Sequence, residues 1–296
     1  MTAGGPRGIV LTGCSTGIGR TCALTLARAG YRVFAGVRRT QDGESLQAEA
    51  GSAALTPLML DVTDEEAAAR AAEIVREELG DAGELAGLVN NAGIAVYGPL
   101  ELLPIEILRR QFEINVIGHV VVTQAFLPML RRDRGRVIMI GSSSSFLTPP
   151  FLGPYASSKC ALASLTDAFR RELAPWGIQV ILMQPGAVIT PLWDKSIDNG
   201  DRWFDALPDS ARRLYARGYG AMRRLFLEKS GRGISAEKLA LRVLQVLSAK
   251  RPRTHHPMGL DTFGYRMLDR LPPRVVDMML ATSLGHTEKG IAEDPG

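Results

Sequence analysis

The feature that most constrains the fold of this chain is a regular alternation of short apolar runs with amphipathic helical segments. The apolar runs predict β-strands at residues 8–12, 31–37, 55–60, 85–89, 136–141 and 178–183. Helical patterns lie at 20–29, 64–79, 105–130 and 155–173. This alternation predicts a doubly wound α/β fold, in which helices cover both faces of a parallel sheet and the ligand binds at the carboxyl ends of the strands.

A glycine-rich turn joins the first predicted strand to the first predicted helix. Its glycines are spaced Gly13-x3-Gly17-x-Gly19. Such a turn lets backbone N–H groups approach a pyrophosphate at the helix N-terminus. The spacing differs from the Gly-x-Gly-x-x-Gly of the usual dinucleotide fingerprint, so a plain tight turn without a ligand remains an alternative.

The end of the second predicted strand bears on the choice of nucleotide. An NAD-preferring protein would place a carboxylate there for the ribose 2′-hydroxyl. This chain instead has Val37, followed by Arg38 and Arg39. A guanidinium suits a 2′-phosphate by charge and by its fork of donors, so we expect NADP(H) to be preferred over NAD(H). The alternative is that both arginines begin a solvated loop.

Tyr155 and Lys159 are four residues apart on a predicted helix, which places both on one face. A free tyrosine titrates near pH ~10, and a cation one turn away is expected to lower that pKa. The pair is therefore a candidate general acid/base. Ser142 ends the fifth predicted strand, thirteen residues earlier, and can face the tyrosine across a pocket. Taken alone, a Tyr-x3-Lys pair is common on exposed helix faces.

Composition excludes several classes of protein. The apolar stretch 116–130 is interrupted by polar residues and a proline, and is expected to be a buried helix and not a membrane span. A predicted strand begins at Gly8, so we expect no secretory signal. The three cysteines are scattered, which favours reduced thiols in a cytoplasmic setting and no metal site.

The net charge of +4 is unevenly distributed. Residues 195–274 hold 17 Lys and Arg against 8 Asp and Glu. Such asymmetry can mark a nucleic-acid or membrane-surface binder. The arginines are spread over the window, which favours solvated helix faces; we therefore expect no nucleic-acid partner, and peripheral membrane contact is the less favoured reading.

The C-terminal third is less regular. Aromatic residues alternate with arginines over residues 193–233, a helix with Ser235 as its cap is predicted at 235–247, and a short strand is possible within 252–258. An apolar, weakly helical stretch follows at 265–284 and is broken by two prolines. With no repeat or linker visible, we expect one domain over residues 1–296, with a core at about 8–250, a substrate lid at about 190–230 and an extension at about 251–296.

Together these motifs resemble the short-chain dehydrogenase/reductase family in its single-domain, Rossmann-type form. The resemblance runs from about Gly8 to about Leu247. The motifs that carry it occur in family order at family-like spacing: Thr12-Gly13-x3-Gly17-Ile18-Gly19, Asp61-Val62, Asn90-Asn91-Ala92-Gly93, Asn115, Ser142, Tyr155-x3-Lys159 and Pro185-Gly186-x3-Thr190.

The resemblance implies a role for each matched residue. Tyr155 would exchange a proton with the substrate oxygen, Lys159 would lower the Tyr155 pKa and bind the nicotinamide ribose, Ser142 would hold the substrate oxygen, and Asn115 would position a proton-relaying water. The implied cofactor contacts are Gly13, Ser15, Thr16, Gly17, Ile18 and Gly19 at the pyrophosphate, Arg38 at the 2′-phosphate, Asp61 and Val62 at the adenine, Asn90 at the adenine-side ribose, and Val188 and Thr190 at the nicotinamide end. The family's NADP-dependent members often carry a basic residue inside the glycine turn, where this chain has Cys14-Ser15-Thr16.

The C-terminal part is loosely similar to the steroid- and retinol-dehydrogenase-like branch. This implies NAD(P)(H)-dependent interconversion of an alcohol and a ketone or aldehyde, on a bulky apolar substrate, by a homodimer or homotetramer. The aromatic residues of the 193–233 window either line the pocket or pack in the core. The alternative functions are a cofactor-binding regulator without turnover, and a membrane-surface or nucleic-acid binder that uses the basic C-terminal third.

Overall fold

A seven-stranded parallel β-sheet forms the centre of the computed structural model, which describes residues 5–284; the predicted extension beyond residue 284 lies outside the described residues. The strand order is β3-β2-β1-β4-β5-β6-β9. The bounds of the strands are β1 Arg7–Leu11, β2 Arg32–Val37, β3 Leu55–Met59, β4 Glu84–Asn90, β5 Arg136–Ile140, β6 Gln179–Pro185 and β9 His255–Met258. β7 (Val188–Ile189) and β8 (Ile234–Ser235) form a separate two-stranded sheet.

Helices cover both faces of the sheet, so the predicted doubly wound fold is confirmed. Their bounds are α1 Gly17–Arg28, α2 Thr40–Ala50, α3 Glu65–Leu79, α4 Ile105–Phe112, α5 Gly118–Asp133, α6 Gly153–Leu173, α7 Leu192–Asp205, α8 Asp209–Ser230, α9 Ala236–Ser248, α10 Leu260–Leu268 and α11 Pro273–Leu284. The core on one face is built with α1, α2 and α9, and the core on the other with α3, α5 and α6. The order of the sheet reverses at β1, whose neighbours are β2 and β4. A ligand crevice is expected beyond the carboxyl ends of these strands.

The predicted helix at 105–130 is a compound element. A π-helical turn, Glu113–Ile117, separates α4 from α5. By length and composition alone, the stretch Ile105–Asp133 could cross a membrane. In the structure 56% of its apolar 18-residue part is buried. Val122, Phe126 and Leu130 belong to the core between α5 and the sheet.

Two helices occupy the window in which the sequence pattern is irregular. α7 and α8 pack against each other, and Asp201 of α7 lies at the centre of their contact. Its carboxylate accepts hydrogen bonds from Tyr219 Oη (3.1 Å) and Arg223 Nε (2.8 Å) of α8 and from Tyr97 Oη (3.2 Å) of the loop after β4. This carboxylate therefore ties α7 to two neighbouring segments.

Candidate active site

A cavity of about 350 Å³ lies at the carboxyl ends of β1, β2, β4, β5 and β6. The turns that follow these strands form its floor, and α7 forms part of its opposite wall. Of the residues predicted to form the site, those that line this cavity are Gly13, Ser15, Thr16, Gly17, Ile18, Arg38, Asp61, Val62, Ser142, Tyr155, Lys159, Val188 and Thr190. The structure thus brings together residues separated by up to 177 positions in the chain, from Gly13 to Thr190.

The glycine turn leaves the N-terminus of α1 open to the cavity. Gly13 (φ 70°) and Gly17 (φ 58°) adopt left-handed conformations that favour glycine. Thr16 occupies the N-cap position, yet its side chain makes no capping hydrogen bond. Asp64 and Ser235, by contrast, cap α3 and α9 with their side chains. The first N–H groups of α1 are therefore available for an anion such as a pyrophosphate.

Gly19 does not line the cavity, and its predicted contact with the pyrophosphate stays a prediction. A Cβ at this position would lie 2.1 Å from Gly13 O and 2.6 Å from Asn91 Nδ2. Gly19 is thus required for the close approach of α1 to the turn after β1. Gly19 therefore shapes the turn beside the cavity.

The two arginines after β2 have different surroundings. Arg39 forms a bidentate ion pair with Asp42, at 2.9 and 2.8 Å. Arg38 lines the cavity, is exposed, and has no hydrogen bond or ion pair among the described residues. Arg38 is therefore the guanidinium that remains available to a ligand.

Asp61 lies on the same side of the cavity, after β3. Burial disfavours its charged form, but hydrogen bonds from Thr63 N (3.0 Å) and Thr63 Oγ1 (2.8 Å) outweigh that effect and lower the pKa of the carboxyl. Arg38 lowers the same pKa further. Asp61 is thus a fixed anion whose orientation is set by the next turn of the chain.

Ser142, Tyr155 and Lys159 meet at the inner end of the cavity. Each is at most 6% exposed. Ser142 Oγ accepts a hydrogen bond from Ser144 N (3.1 Å), and the hydroxyl also hydrogen-bonds to Tyr155. Lys159 Nζ donates to Ile140 O at 2.9 Å and lies 5.8 Å from the centre of the Tyr155 ring. The three side chains therefore have an arrangement suited to holding an oxygen and moving a proton.

The electrostatics of this group differ from the expectation that Lys159 lowers the Tyr155 pKa. Burial raises the pKa of Tyr155, and only the hydrogen bond with Ser142 opposes it. Burial also lowers the pKa of Lys159 to about 8. Burial thus has the largest effect on both pKa values, because each charged form loses water. At neutral pH Tyr155 is a protonated acid.

The side chains of Asn90 and Asn115 do not line the cavity, and the predicted contacts of these two residues with the ribose and with a relaying water stay predictions. Asn90 is fully buried behind the site and its Nδ2 donates to Thr123 Oγ1 at 2.8 Å. The next three residues, Asn91 to Gly93, line the cavity in its place. Asn115 lies in the π-helical turn, where its amide binds Ile94 N and Ile94 O, both at 2.9 Å, and Ser158 Oγ. Asn115 supports the wall of the cavity from behind.

Asn115 belongs to a row of four fully buried polar side chains, four residues apart, that we call the polar ladder: Gln111, Asn115, His119 and Thr123. Each binds the segment that runs from β4 into the cavity wall. Gln111 binds Val96 N and Ile94 O, Asn115 binds Ile94, His119 Nε2 binds Ala92 O at 2.7 Å, and Thr123 binds Asn90. Burial and the nearby Lys159 together lower the pKa of His119 to about 3, so this imidazole is neutral.

Sequence reasoning missed the residues that α7 contributes to the site: Leu192, Trp193, Lys195, Ser196 and Asn199. Two signals in the sequence mark this face of the helix. Pro191 precedes its first turn, and Leu192, Ser196 and Asn199 follow at intervals of four and three residues, which places them on one side. Trp193 meets the Tyr155 ring edge-on, with 6.2 Å between ring centres. Of the six aromatic residues at 193–226, Trp193 alone lines the cavity, and the other five belong to the cluster beneath α7 and α8.

The comparison with known families agrees with this site. A family model described as short chain dehydrogenase matches residues 7–200. The chain belongs to the short-chain dehydrogenase family. An NADPH-dependent 3-dehydrocapnine reductase of Ornithobacterium rhinotracheale is 32% identical to it over 281 residues, covering 93% of this chain and 96% of that protein. Retinol dehydrogenase 5 of Mus musculus is 33% identical over 294 residues, covering 96% and 91%. The predicted family and enzyme class, an NAD(P)-dependent short-chain dehydrogenase, are confirmed.

Solved structures also include close matches to the fold. An alcohol dehydrogenase from the archaeon Thermococcus sibiricus, complexed with 5-hydroxy-NADP, superposes with a TM-score of 0.65 at 25% identity, over 85% of this chain and 95% of that one. The chain is thus an oxidoreductase of the class that interconverts alcohols and carbonyl compounds.

Proposed function

We propose that this protein is an NADP(H)-dependent carbonyl reductase and alcohol dehydrogenase that acts on an apolar substrate. The observation that carries the proposal is the meeting of Ser142, Tyr155 and Lys159 in the cavity that also contains the uncapped N-terminus of α1. One end of the cavity suits a dinucleotide and the other suits proton transfer to an oxygen. Both relatives described above carry dehydrogenase or reductase activity by name.

The residues of the cavity fit a dinucleotide along its length. The glycine turn would hold the pyrophosphate, Asp61 and Val62 the adenine, Lys159 the nicotinamide ribose, and Val188 with Thr190 the nicotinamide end. When bound, the nicotinamide supplies or accepts the hydride. The protein supplies orientation and proton management.

Tyr155 is the proposed proton donor for reduction. Its raised pKa keeps the phenol protonated at neutral pH, so it can donate to a carbonyl oxygen as that oxygen gains charge. The Ser142 hydroxyl, whose lone pair is engaged by Ser144 N, would donate its hydrogen to the same oxygen. Trp193 and Ala95 would cover the apolar part of the substrate, which supports the expectation of a retinoid- or steroid-like compound.

Tyr155→Phe tests the proton donor. We expect kcat for NADPH-dependent reduction to fall by at least about 100-fold, with an unchanged dissociation constant for NADPH, because the ring stays and the proton is lost. The assay follows NADPH absorbance with a panel that contains all-trans-retinal, a steroid ketone and an aryl ketone. Tyr31→Phe, a buried tyrosine remote from the cavity, is the matched control. Near-wild-type turnover by Tyr155→Phe would exclude the assigned role, and NADPH binding without turnover of any carbonyl would favour the regulator.

Arg38 is the proposed 2′-phosphate ligand, since Arg39 is already paired with Asp42. Fluorescence titration should show that Arg38→Ala weakens NADPH binding by roughly 10- to 100-fold and NADH binding by less than about twofold, because one charge-assisted bond contributes about 1.5–3 kcal/mol. Arg39→Ala is the matched control and should change neither constant by more than about twofold. Equal losses for both nucleotides in Arg38→Ala would refute a 2′-phosphate contact.

We also propose one domain, in which α7 and α8 form the substrate lid, and a homodimer or homotetramer that pairs the helices at 102–130 and 155–173. Exposed apolar side chains at Ile105 (53%) and Ile117 (45%) support the pairing. Light scattering after gel filtration tests the oligomeric state, and a monomer at micromolar concentration would exclude the pairing.

A cytoplasmic location is proposed on the three free cysteines. Fractionation with the membrane pellet would contradict it.

A further inference from the structure

A continuous chain of hydrogen bonds connects a partly exposed histidine to the backbone of Ser142. His255 Nε2 lies 3.2 Å from Asp167 Oδ1, and its Nδ1 lies 3.3 Å from Gln184 Oε1. Gln184 Nε2 donates to Ser145 Oγ at 2.9 Å. Ser145 Oγ donates to Ser142 O at 2.7 Å. The chain thus joins α6, β9 and β6 to the turn that carries the proposed oxygen-holding serine.

The donors and acceptors in this chain fix the orientation of the Gln184 amide. A hydroxyl carries a single hydrogen, and Ser145 uses it for Ser142 O. Ser145 Oγ can therefore only accept from Gln184, so the NH₂ group of the amide faces the serine. The amide oxygen must then face His255. Gln184 is 2% exposed, which leaves it no alternative partner in bulk water.

His255 consequently faces an acceptor on both sides of its ring. A neutral imidazole has one N–H and can satisfy one of the two, whereas an imidazolium satisfies both. On the Nε2 side of the ring the acceptor is the Asp167 carboxylate. Arg170 donates to the same carboxylate at 3.1 Å, and Arg171 contacts its other oxygen. The charged and titratable groups around His255 are Asp167, with its partners Arg170 and Arg171 on α6, and His256, on which Arg242 of α9 and Arg253 act in turn.

We propose that His255, as a double N–H donor, is a positioning residue for the reaction: through Gln184 and Ser145 it holds the peptide group of Ser142, and with it the serine hydroxyl. This inference rests on the proposed function for the role of Ser142. Loss of the Nδ1 N–H of His255 frees the Gln184 amide to rotate. Ser145 then loses the neighbour that holds its hydroxyl on Ser142 O, and the Ser142 carbonyl keeps the backbone bond from Ser145 N at 3.1 Å.

The protonation of His255 is tested without turnover. Side-chain ¹⁵N NMR of ¹⁵N-histidine-labelled protein, assigned by the signal lost in His255→Gln, should show hydrogens on both ring nitrogens at about pH 6. In Gln184→Leu, which removes the amide oxygen, the Nδ1 hydrogen should exchange with solvent at least about tenfold faster. An unprotonated Nδ1 at about pH 6 in the wild type would overturn the double-donor assignment.

The positioning role is tested by kinetics in the same pH range. We expect His255→Gln to lower kcat by about tenfold at pH ~6, with unchanged NADPH affinity, because a small displacement of a catalytic group is costly. At pH ~9, where histidine is ordinarily neutral, the ratio of wild-type to variant kcat should fall below about threefold. His256→Gln, a neighbouring histidine whose ring binds only Arg253 O among the described residues, is the matched control.

The outcomes separate this inference from the proposed function. A wild-type to His255→Gln ratio that is near one at pH ~6, or that is the same at both pH values, would overturn the positioning role. A wild-type protein that binds NADPH and reduces no carbonyl of the panel would defeat the proposed function, while the ring-nitrogen spectrum would still decide the state of His255. A thermal melt of His255→Gln within about 2 °C of the wild type shows that the variant is folded.

Discussion

Thr12→Val tests how the end of β1 holds the cavity wall. Thr12 is fully buried, and its Oγ1 accepts hydrogen bonds from Asn91 N at 2.9 Å and Ala92 N at 3.0 Å. Valine preserves the shape of the side chain but removes the acceptor, so both backbone N–H groups lose their partner. An unsatisfied buried donor costs about 1–3 kcal/mol. Because Asn91 and Ala92 are only half-buried, we expect a loss of about 2–4 kcal/mol in the free energy of unfolding.

Urea unfolding followed by tryptophan fluorescence measures this loss, and Thr12→Ser is the matched control. Serine keeps the hydroxyl and deletes one methyl group, at a cost of about 1 kcal/mol. Thr12→Val should therefore be the less stable of the two and should also bind NADPH more weakly, since Asn91 and Ala92 line the cavity. If Thr12→Val is as stable as Thr12→Ser, the hydroxyl does not support this wall and the reasoning is refuted.

Two further predictions concern buried polar groups near the site. His119 has a folded-state pKa of about 3 against 6.5 when unfolded, so only the unfolded chain takes up a proton between these values and stability is lost as the pH falls below 6.5. The matched control is His119→Gln, which keeps a donor for Ala92 O and does not titrate. Between pH ~6.5 and ~5 the free energy of unfolding in urea should fall by about 2 kcal/mol more in the wild type than in this variant. The same pH dependence in both proteins would contradict a buried neutral imidazole. Asp201→Asn places an amide where Arg223 requires an acceptor, so it should lower the free energy of unfolding by about 1–3 kcal/mol in the same assay and raise the KM for the carbonyl substrate. The exposed Asp198→Asn should stay within about 0.5 kcal/mol of the wild type. Equal stability of the two variants would show that the Asp201 contact does not hold α7.

The strands were predictable because buried strands of a parallel sheet are continuous apolar runs. β5 and β6, for example, begin and end within one or two residues of the predicted bounds. The positions of Ser142 and the glycine turn followed, since polar residues that end such strands share one edge of the sheet. The four-residue spacing of Tyr155 and Lys159 placed both on one face of α6.

α2 and α7 were not predictable from apolar periodicity. α2 buries only Gly43 and Leu46, and α7 buries Ser196 and Gly200 as well as Ile197 and Phe204. The directions of individual side chains were also out of reach. The π-helical turn changes the phase of the helix around Asn115, and the contact of Gln184 with His255 joins residues 71 positions apart. The effect of burial on Tyr155 likewise depends on neighbours that only the fold supplies.

The spacing of the polar ladder has a consequence for how the pocket can adapt. Four residues of an α-helix advance about 6.0 Å, and two residues of extended chain advance about 6.6 Å. The ladder side chains, four apart, therefore keep pace with partners two apart, which are the side chain of Asn90 and backbone groups of Ala92, Ile94 and Val96. This match fixes the register, because a shift of that segment by one residue would leave every ladder side chain without its partner. The polar ladder thus holds this wall of the cavity in one register, and we expect α7, on the opposite wall, to accommodate differences between bound substrates.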